Sequence, residues 1–301
     1  MDHNTLFLTQ NDCYKANKKM TPAGIVVHST GANNKKLARY IGPNDGRIGA
    51  NRYNNHWNRP GVKKCVHAFI GEDANGVVCT YQTLPLDVCA WGVADGRNGS
   101  YNYEPAYLQF EICEDNLADI GYYKKVMREA QELCAKWCKG FNIPIENVIS
   151  HKEAHARGYA SNHGDIDYWL KKYGSNMDEF RAEVKAIIEG KEPNVYVPTV
   201  KEWQKAAISD GFSFPKYGPD GYWGRECERV AAEAVVKKRI VYKYKNLTKI
   251  VQKTLGFKGA AVDGKCGSAT KAAIKEYQKA QRIEADGAVG LNTWKKILNI
   301  K

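Results

Sequence analysis

No apolar run in this 301-residue chain approaches the ~20 residues that a membrane-spanning helix needs, which excludes insertion into a bilayer by that route. The first thirty residues also lack the basic-then-apolar pattern of a secretory signal, because Asn4, Gln10, Asn11 and Asp12 interrupt each short apolar stretch. The expectation is a chain with no export leader of its own. Low-complexity segments are missing as well, and the composition is that of a globular protein long enough for two domains. Cysteine is present but unorganised. The nine residues, at 13, 65, 79, 89, 113, 134, 138, 227 and 266, are odd in number and form no CxxC pair or finger-like spacing. They read as reduced, mostly buried thiols of a chain made in a reducing cytoplasm. Cys134 and Cys138, one helical turn apart, read as small residues on a buried helix face.

A charge excess is missing from the first two-thirds of the chain. Residues 1–190 contain 23 Lys and Arg against 22 Asp and Glu, whereas residues 191–301 contain 22 against 11. Nearly all of the formal +12 therefore belongs to the C-terminal third. A basic module beside a neutral one points to a polyanionic partner: nucleic acid, a membrane surface or a wall rich in carboxylate and phosphate.

"GIVVHST" (Gly24 to Thr30) is a β-branched run ending in polar residues, which predicts a buried strand opening into a site. "VHAFIG" (Val66 to Gly71), "VVCTYQTL" (Val77 to Leu84), "YLQFEIC" (Tyr107 to Cys113) and "NVIS" before His151 are further strand candidates. From Tyr122 to Gly140, Val126, Ala130, Leu133, Trp137 and Cys138 recur at helical spacing. Ser175 to Asp178 reads as a capping-box-like start for a helix running to about Glu189. Residues 1–190 are thus expected to form an α/β domain with a central mixed sheet flanked by helices. "GKEPNVYVPT" (Gly190 to Thr199) supplies the linker, placed at 191–198.

Residues 199–301 repeat themselves. "DGYWGREC" from Asp220, "DGKCGSAT" from Asp263 and "DGAVGLNT" from Asp286 share D-G-x-x-G, each downstream of a glutamine: Gln204, Gln252 and Gln278. Glycine tolerates positive φ, Asp bonds nearby amides, and a helix follows. The prediction is a smaller all-α domain in which these residues shape turns and any ligand meets exposed side chains around them.

Three of the seven histidines fall in "SHKEAHARGYASNHGDIDYW" (Ser150 to Trp169). His151 and His28 both close predicted strands, so together they make a platform on which neutral imidazoles could converge on zinc. His155 stands four residues after His151, but Gly158 argues against a helix there. His3 and His56 read as frayed and solvated residues.

"VVHST", "VHAFIG" with "YQTLPLDVCAW", "QFEICE", and "SHKEAH" followed by "GDIDYW" resemble the successive blocks of zinc-dependent N-acetylmuramoyl-L-alanine amidases of the type 2 family, whose fold peptidoglycan recognition proteins share. The resemblance covers roughly residues 22–170, and the C-terminal repeats resemble helical peptidoglycan-binding modules. It implies hydrolysis of the amide between N-acetylmuramic acid and L-alanine, by a phage endolysin that resides in the cytoplasm of the infected host and then acts on the wall. It implies His28 and His151 as zinc ligands, with Asp165 third and His163 in a place where the family usually has lysine. His163 remains the alternative third ligand. The family's catalytic glutamate matches Glu111, which would move the water proton, with His163 donating to the oxyanion. His67 and Trp91 fall in blocks that line the substrate groove. The basic tail would meet anionic wall polymers. The competing expectations are a non-catalytic peptidoglycan-binding protein on the same fold, a host autolysin, and a nucleic-acid-binding tail carried by "KKRIVYKYK" (Lys237 to Lys245). Nucleic acid is not the expected partner, because tyrosines in that segment also suit a helical core.

Overall fold

A computed structural model describes residues 2–94, 106–191, 196–238 and 243–300. Parts of the predicted linker (192–195) and of the basic, tyrosine-rich segment (239–242) lie outside the described residues. The chain forms two compact units, one built from residues 1–117, 122–171 and 176–193, the other mainly from 194–301.

The first unit is a six-stranded mixed sheet with flanking helices. Its strands are β1 (His3–Thr5), β2 (Pro22–Ser29), β3 (Ala68–Glu72), β4 (Val78–Gln82), β5 (Ala106–Ile112) and β6 (Val148–Ser150), in the order β1-β4-β3-β5-β2-β6. β2 runs parallel to both neighbours, β5 and β6, and β3 is parallel to β5; β3 and β4 are antiparallel. Parallel strands present all their C-terminal ends at one edge, where open α/β sheets bind ligands. Every strand expected from the β-branched and aromatic runs is present, with ends displaced by a residue or two.

Helices α1 (Asp12–Ala16), α2 (Ile120–Phe141), α3 (His151–Ala156), α4 (Asp165–Lys172) and α5 (Met177–Ile188) complete the unit. The periodic residues of α2 all turn inward: Val126, Ala130, Leu133, Cys134, Trp137 and Cys138 are buried. Trp137 meets Phe110 of β5 edge-on, with ring centroids 5.8 Å apart, and so ties α2 to the strand that carries Glu111. All nine cysteines are buried and none forms a disulfide. Two boundaries depart from expectation. The cap of α5 is Asn176, whose side chain accepts from the Glu179 amide, one residue later than the cap predicted at Ser175. His155 is helical, since α3 continues to Ala156 and Gly158 takes its positive φ of 77° only after the helix has ended.

The second unit contains α6 (Val200–Ser209), α7 (Arg225–Glu233), α8 (Lys245–Thr254), α9 (Ser268–Ala280) and α10 (Leu291–Ile297). Its three repeats are one hydrogen-bonded device used three times. Gln204, Gln252 and Gln278 are each buried, and each Nε2 donates to the repeat aspartate, at 2.8, 2.7 and 2.9 Å. Each Oε1 accepts from the amide of the following glycine, Gly221, Gly264 or Gly287. Those glycines have φ of 89°, 76° and 77°, a left-handed conformation that a side chain would strain. The aspartate then accepts from the amide two residues on, at Tyr222, Lys265 and Ala288, and a helix begins three residues after that position. The turn-shaping role expected for D-G-x-x-G is what the geometry displays. Replacing Gln252 by Ala leaves the Gly264 amide and Asp263 without their buried partner, so Gln252→Ala should lower stability by about 1–3 kcal/mol. Urea unfolding of the full chain followed by circular dichroism checks this.

Candidate functional site

The site is assembled at the C-terminal edge of the parallel strands β5, β2 and β6. Register pairs His28 of β2 with Glu111 of β5, and Val27 with Ser150, the residue before His151. Side chains alternate along a strand, so Gln109 and Glu111 project to the same face of β5. His151 enters as the first residue of α3. Ser150 caps that helix: its hydroxyl accepts from the Glu153 amide while Glu153 Oε2 accepts from the Ser150 amide at 3.0 Å. Arg181 of α5 then clamps Glu153 with two bonds, at 2.9 and 3.0 Å, and donates to the Val148 carbonyl. The start of α3, and with it the His151 ring, is held from the cap, from the strand and from a second helix.

Among the described residues, one group of three potential ligands converges: His28, His151 and Asp165. His28 Nδ1 lies 3.0 Å from Asp165 Oδ2, His151 Nδ1 lies 2.9 Å from the same oxygen, and the two Nδ1 atoms are 3.0 Å apart. No placement of protons satisfies this triangle. If both rings carry a proton on Nδ1 to donate to the carboxylate, the two N–H groups face each other; if one loses it, a bond to Asp165 is lost. A cation resolves the conflict, and the edges are close to the ~3.3 Å of a tetrahedron with ~2.0 Å metal–ligand bonds. The donor set of two imidazoles and a carboxylate therefore fits a divalent ion.

Electrostatics at the cluster point the same way. Burial works against the charge on Asp165, yet the two imidazoles overcome it and hold its carboxyl well below the usual range. Burial also lowers the pKa of His28, favouring the neutral ring that a metal needs, although Asp165 opposes it. Asp165 is the first residue of α4, with φ of 30°, in a left-handed region where Asp is more tolerated than most residues.

The rings' other nitrogens differ: His28 Nε2 is buried with no hydrogen-bond partner among the described residues, whereas His151 Nε2 meets a hydroxyl. His151 Nε2 lies 3.3 Å from Ser161 Oγ, and that hydroxyl lies 2.9 Å from His163 Nδ1. His163 thus stands beside the cluster, one hydroxyl removed from His151, and is not part of the triangle. The Gln109 side chain acts on the buried His28 ring and favours its protonated form. A Cβ on Gly92 would collide with Gln109 Oε1, so the glycine keeps that space open. Supporting groups of this kind fix tautomer and ring orientation at metal sites.

A cavity of about 390 Å³ opens over the cluster, and Glu111, Ser161, His163, Lys64, Trp57 and Arg39 are among its walls. Glu111 Oε2 is buried with no hydrogen-bond partner among the described residues. Burial, followed by the charges of Asp165 and Glu114, pushes the Glu111 pKa well above the ordinary value, and Lys64 opposes them. Glu114 is engaged elsewhere, accepting from the Ser29 hydroxyl at 2.6 Å. The cavity shares Lys64 and Ala94 with a neighbouring hollow of about 720 Å³, whose wall includes Trp91.

His67 departs from the groove expectation. It is 0 % exposed, its Nε2 donates to the Val88 carbonyl at 2.8 Å, and its Nδ1 accepts from the Gln109 amide. Burial pushes its pKa down to about 4, and both nitrogens are occupied by backbone, so this ring braces the strands and does not face the cavity. His155 is likewise apart from the cluster, with Nδ1 against the Ala160 carbonyl at 3.0 Å. Ser161, Gln109, Lys64, Trp57 and Arg39 were not anticipated. Only Gln109 had a signal, its two-residue spacing from Glu111; Trp57 and Lys64 lie in an aperiodic segment, with the Lys64 ammonium 4.7 Å from the Trp57 ring centroid.

Residues 18–165 match the family described as N-acetylmuramoyl-L-alanine amidase, and residues 253–297 match a peptidoglycan binding domain family. The N-acetylmuramoyl-L-alanine amidase CwlH of Bacillus subtilis (strain 168) is 34% identical over 134 residues, 44% of this chain and 45% of that protein. The chain thus matches less than half of that relative's length. A protein of Bacillus licheniformis named "Probable N-acetylmuramoyl-L-alanine amidase" is 24% identical over 268 residues, covering 66% of this chain and 73% of that one. Among solved structures, a mutant endolysin from Bacillus subtilis is similar at 22% identity and a TM-score of 0.41, over 61% of this chain and 99% of that one.

A cluster with this geometry predicts room for one divalent ion per chain. Titration of metal-free protein with Zn²⁺ against a chromophoric chelator should give a stoichiometry of one. His28→Ala and Asp165→Ala should each weaken binding by at least about a hundredfold, more than loss of a supporting group, while His163→Ala should retain it. Retention in Asp165→Ala together with loss in His163→Ala would assign the third ligand to His163 instead.

Proposed function

We propose that the chain is a zinc-dependent hydrolase that cuts the amide between N-acetylmuramic acid and L-alanine in peptidoglycan. The observation that carries this reading is the convergence of His28, His151 and Asp165 in one cavity with Glu111, whose buried Oε2 has no partner among the described residues, within a segment matching the amidase family. Residues 1–190 carry the reaction, 191–198 link, and 199–301 retain the enzyme on the wall. The match of 253–297 to a peptidoglycan binding domain supports the last assignment, and the positive charge of residues 191–301 suits anionic wall polymers. Among the described residues no helix is long and apolar enough to cross a membrane. The setting that fits this pairing of amidase and wall-binding segments is that of a phage endolysin, made in the host cytoplasm and acting on the wall.

His28, His151 and Asp165 hold the ion. Bound there, zinc supplies Lewis acidity, acidifying water and polarising the scissile carbonyl. Glu111 takes the proton from the attacking water and returns it to the departing L-alanine nitrogen. Its raised pKa suits that exchange, because a carboxyl that holds a proton less reluctantly at neutral pH can act in both directions. To His163 we assign donation to the oxyanion that would develop on the carbonyl; its position in the cavity wall beside Ser161 supports this role. Lys64 and Arg39 supply positive charge along the cavity for an acidic stem peptide.

Two measurements test the reading. Digestion of purified walls followed by mass spectrometry should release stem peptides beginning in L-alanine. A chelator should abolish that release and added zinc restore it; activity persisting after complete zinc removal overturns the mechanism. Glu111→Gln should lower kcat/KM by roughly 10²–10⁴-fold with zinc content unchanged. A protein that binds walls and zinc but releases no new amino termini would be a recognition protein on this fold.

A further inference from the structure

The three repeats of the second unit share a skeleton but not a surface. In each, the residue two after the repeat aspartate performs its structural work through its backbone: the amide donates to the aspartate and the carbonyl accepts from the glutamine. The side chain there is free to vary, being Lys265 in the second repeat and Ala288 in the third. In the first repeat it is Tyr222, 79 % exposed. Folding accounts for the backbone at this position and leaves the exposed ring unexplained.

The first repeat also has a longer connection. Sixteen positions separate Gln204 from Asp220, against eleven and eight for the other two pairs. The additional chain includes Lys216 and Tyr217, whose ring is 62 % exposed with the Lys216 ammonium 4.9 Å from its centroid. This connection is fastened in place: the Gly218 amide donates to the Phe214 carbonyl at 2.9 Å, the Lys216 amide to Glu226 Oε1 at 3.2 Å, and Arg229 to the Ser213 carbonyl at 2.8 Å. Between it and the repeat turn lies a cavity of about 470 Å³, within the usual range for small-ligand sites. The third repeat has a smaller hollow, about 260 Å³, with no aromatic or basic residue in its wall.

The chemistry of the cavity selects its ligand. Two exposed phenol rings, Tyr217 and Tyr222, offer flat apolar faces with polar tips, the surface on which the C–H face of a pyranose packs. Lys216 and Arg225 supply cations for a carboxylate. The two carboxylates in the wall are committed to the fold, Asp220 to Gln204 and the Tyr222 amide, Glu226 to the Lys216 amide. We infer that this first-repeat cleft binds an amino-sugar chain bearing carboxylate stems, the chemistry of a peptidoglycan strand. It lies outside the segment matched by the peptidoglycan binding domain family. The inference rests on the reading of residues 199–301 as the wall-retaining part.

The experiment uses the full chain and two probes: purified sacculi stripped of teichoic acid, and a soluble muramyl-L-alanyl peptide. Cosedimentation should show the double variant Tyr217→Ala/Tyr222→Ala binding stripped sacculi at least about tenfold more weakly than wild type, as expected when aromatic anchors are removed. Tyr53→Ala, which removes an exposed tyrosine from the other unit, should bind as wild type. Hydrolysis of the soluble peptide should be the same in all three proteins. Wild-type binding by the double variant overturns the cleft assignment and leaves the amidase reading standing. Loss of soluble-peptide hydrolysis in wild type would instead remove the amidase reading. If Arg225→Ala weakens binding equally to sacculi with free and with amidated stem carboxylates, the carboxylate contact is overturned. Because Ala occupies the place of Tyr222 in the third repeat, Tyr222→Ala should unfold in urea like wild type; an unfolding midpoint well below wild type would assign the ring to folding.

Discussion

The parallel pairing of β2 with β5 on one side and β6 on the other is the constraint on which the first unit depends. It sets His28 opposite Glu111 and brings Ser150, and so His151, alongside. A slip of one residue in β2 would turn His28 to the opposite face and present Val27 or Ser29 in its place. Register is defended by burial: Ile25, Val26 and Val27 are fully buried, as are Leu108 and Phe110 on the facing strand. Packing along the strands therefore sets the distance between His28 and Glu111.

Asp165 depends on that arrangement in turn. Its backbone is left-handed and its carboxylate is desolvated, two unfavourable conditions that the imidazoles of His28 and His151 offset. Around the rings sits a further layer, with Ser161 bridging His151 to His163, Gln109 acting on His28, and Arg181 bracing the helix that begins at His151. The second unit solves its problem differently. Beside a core that includes Trp203, Leu247, Val251 and Trp294, a buried glutamine in each repeat closes a turn, holds a carboxylate and orients the next helix.

Much of this was legible from residue order. β2 and β5 announce themselves as β-branched and aromatic runs, α2 through the spacing of Val126, Ala130, Leu133 and Trp137, and the turns through D-G-x-x-G. The S-x-x-E signature at Ser150 to Glu153 was also written in the sequence, although it reads equally as the end of a strand followed by polar residues. Other features had no local signal. Whether a strand histidine such as His67 faces a cavity or a neighbouring backbone depends on which strands flank it, and that is a tertiary fact. Trp57 and Lys64 come from a stretch without period, so nothing along the chain hints that they meet over the site. His155 was misjudged because Gly158 lies just beyond the helix end, where a glycine stops a helix without preventing it.

The nine thiols are scattered through both units and none is joined in a disulfide. Burial raises the pKa of several of them, Cys79 to about 12 and Cys138 and Cys266 to about 11, so little thiolate exists while the fold is intact. Chemical attack on these thiols must wait for the chain to open. Each of these thiols is in effect a clock for its own neighbourhood, recording how often Cys266 in one unit, or Cys134 on the buried face of α2 in the other, becomes visible to an oxidant.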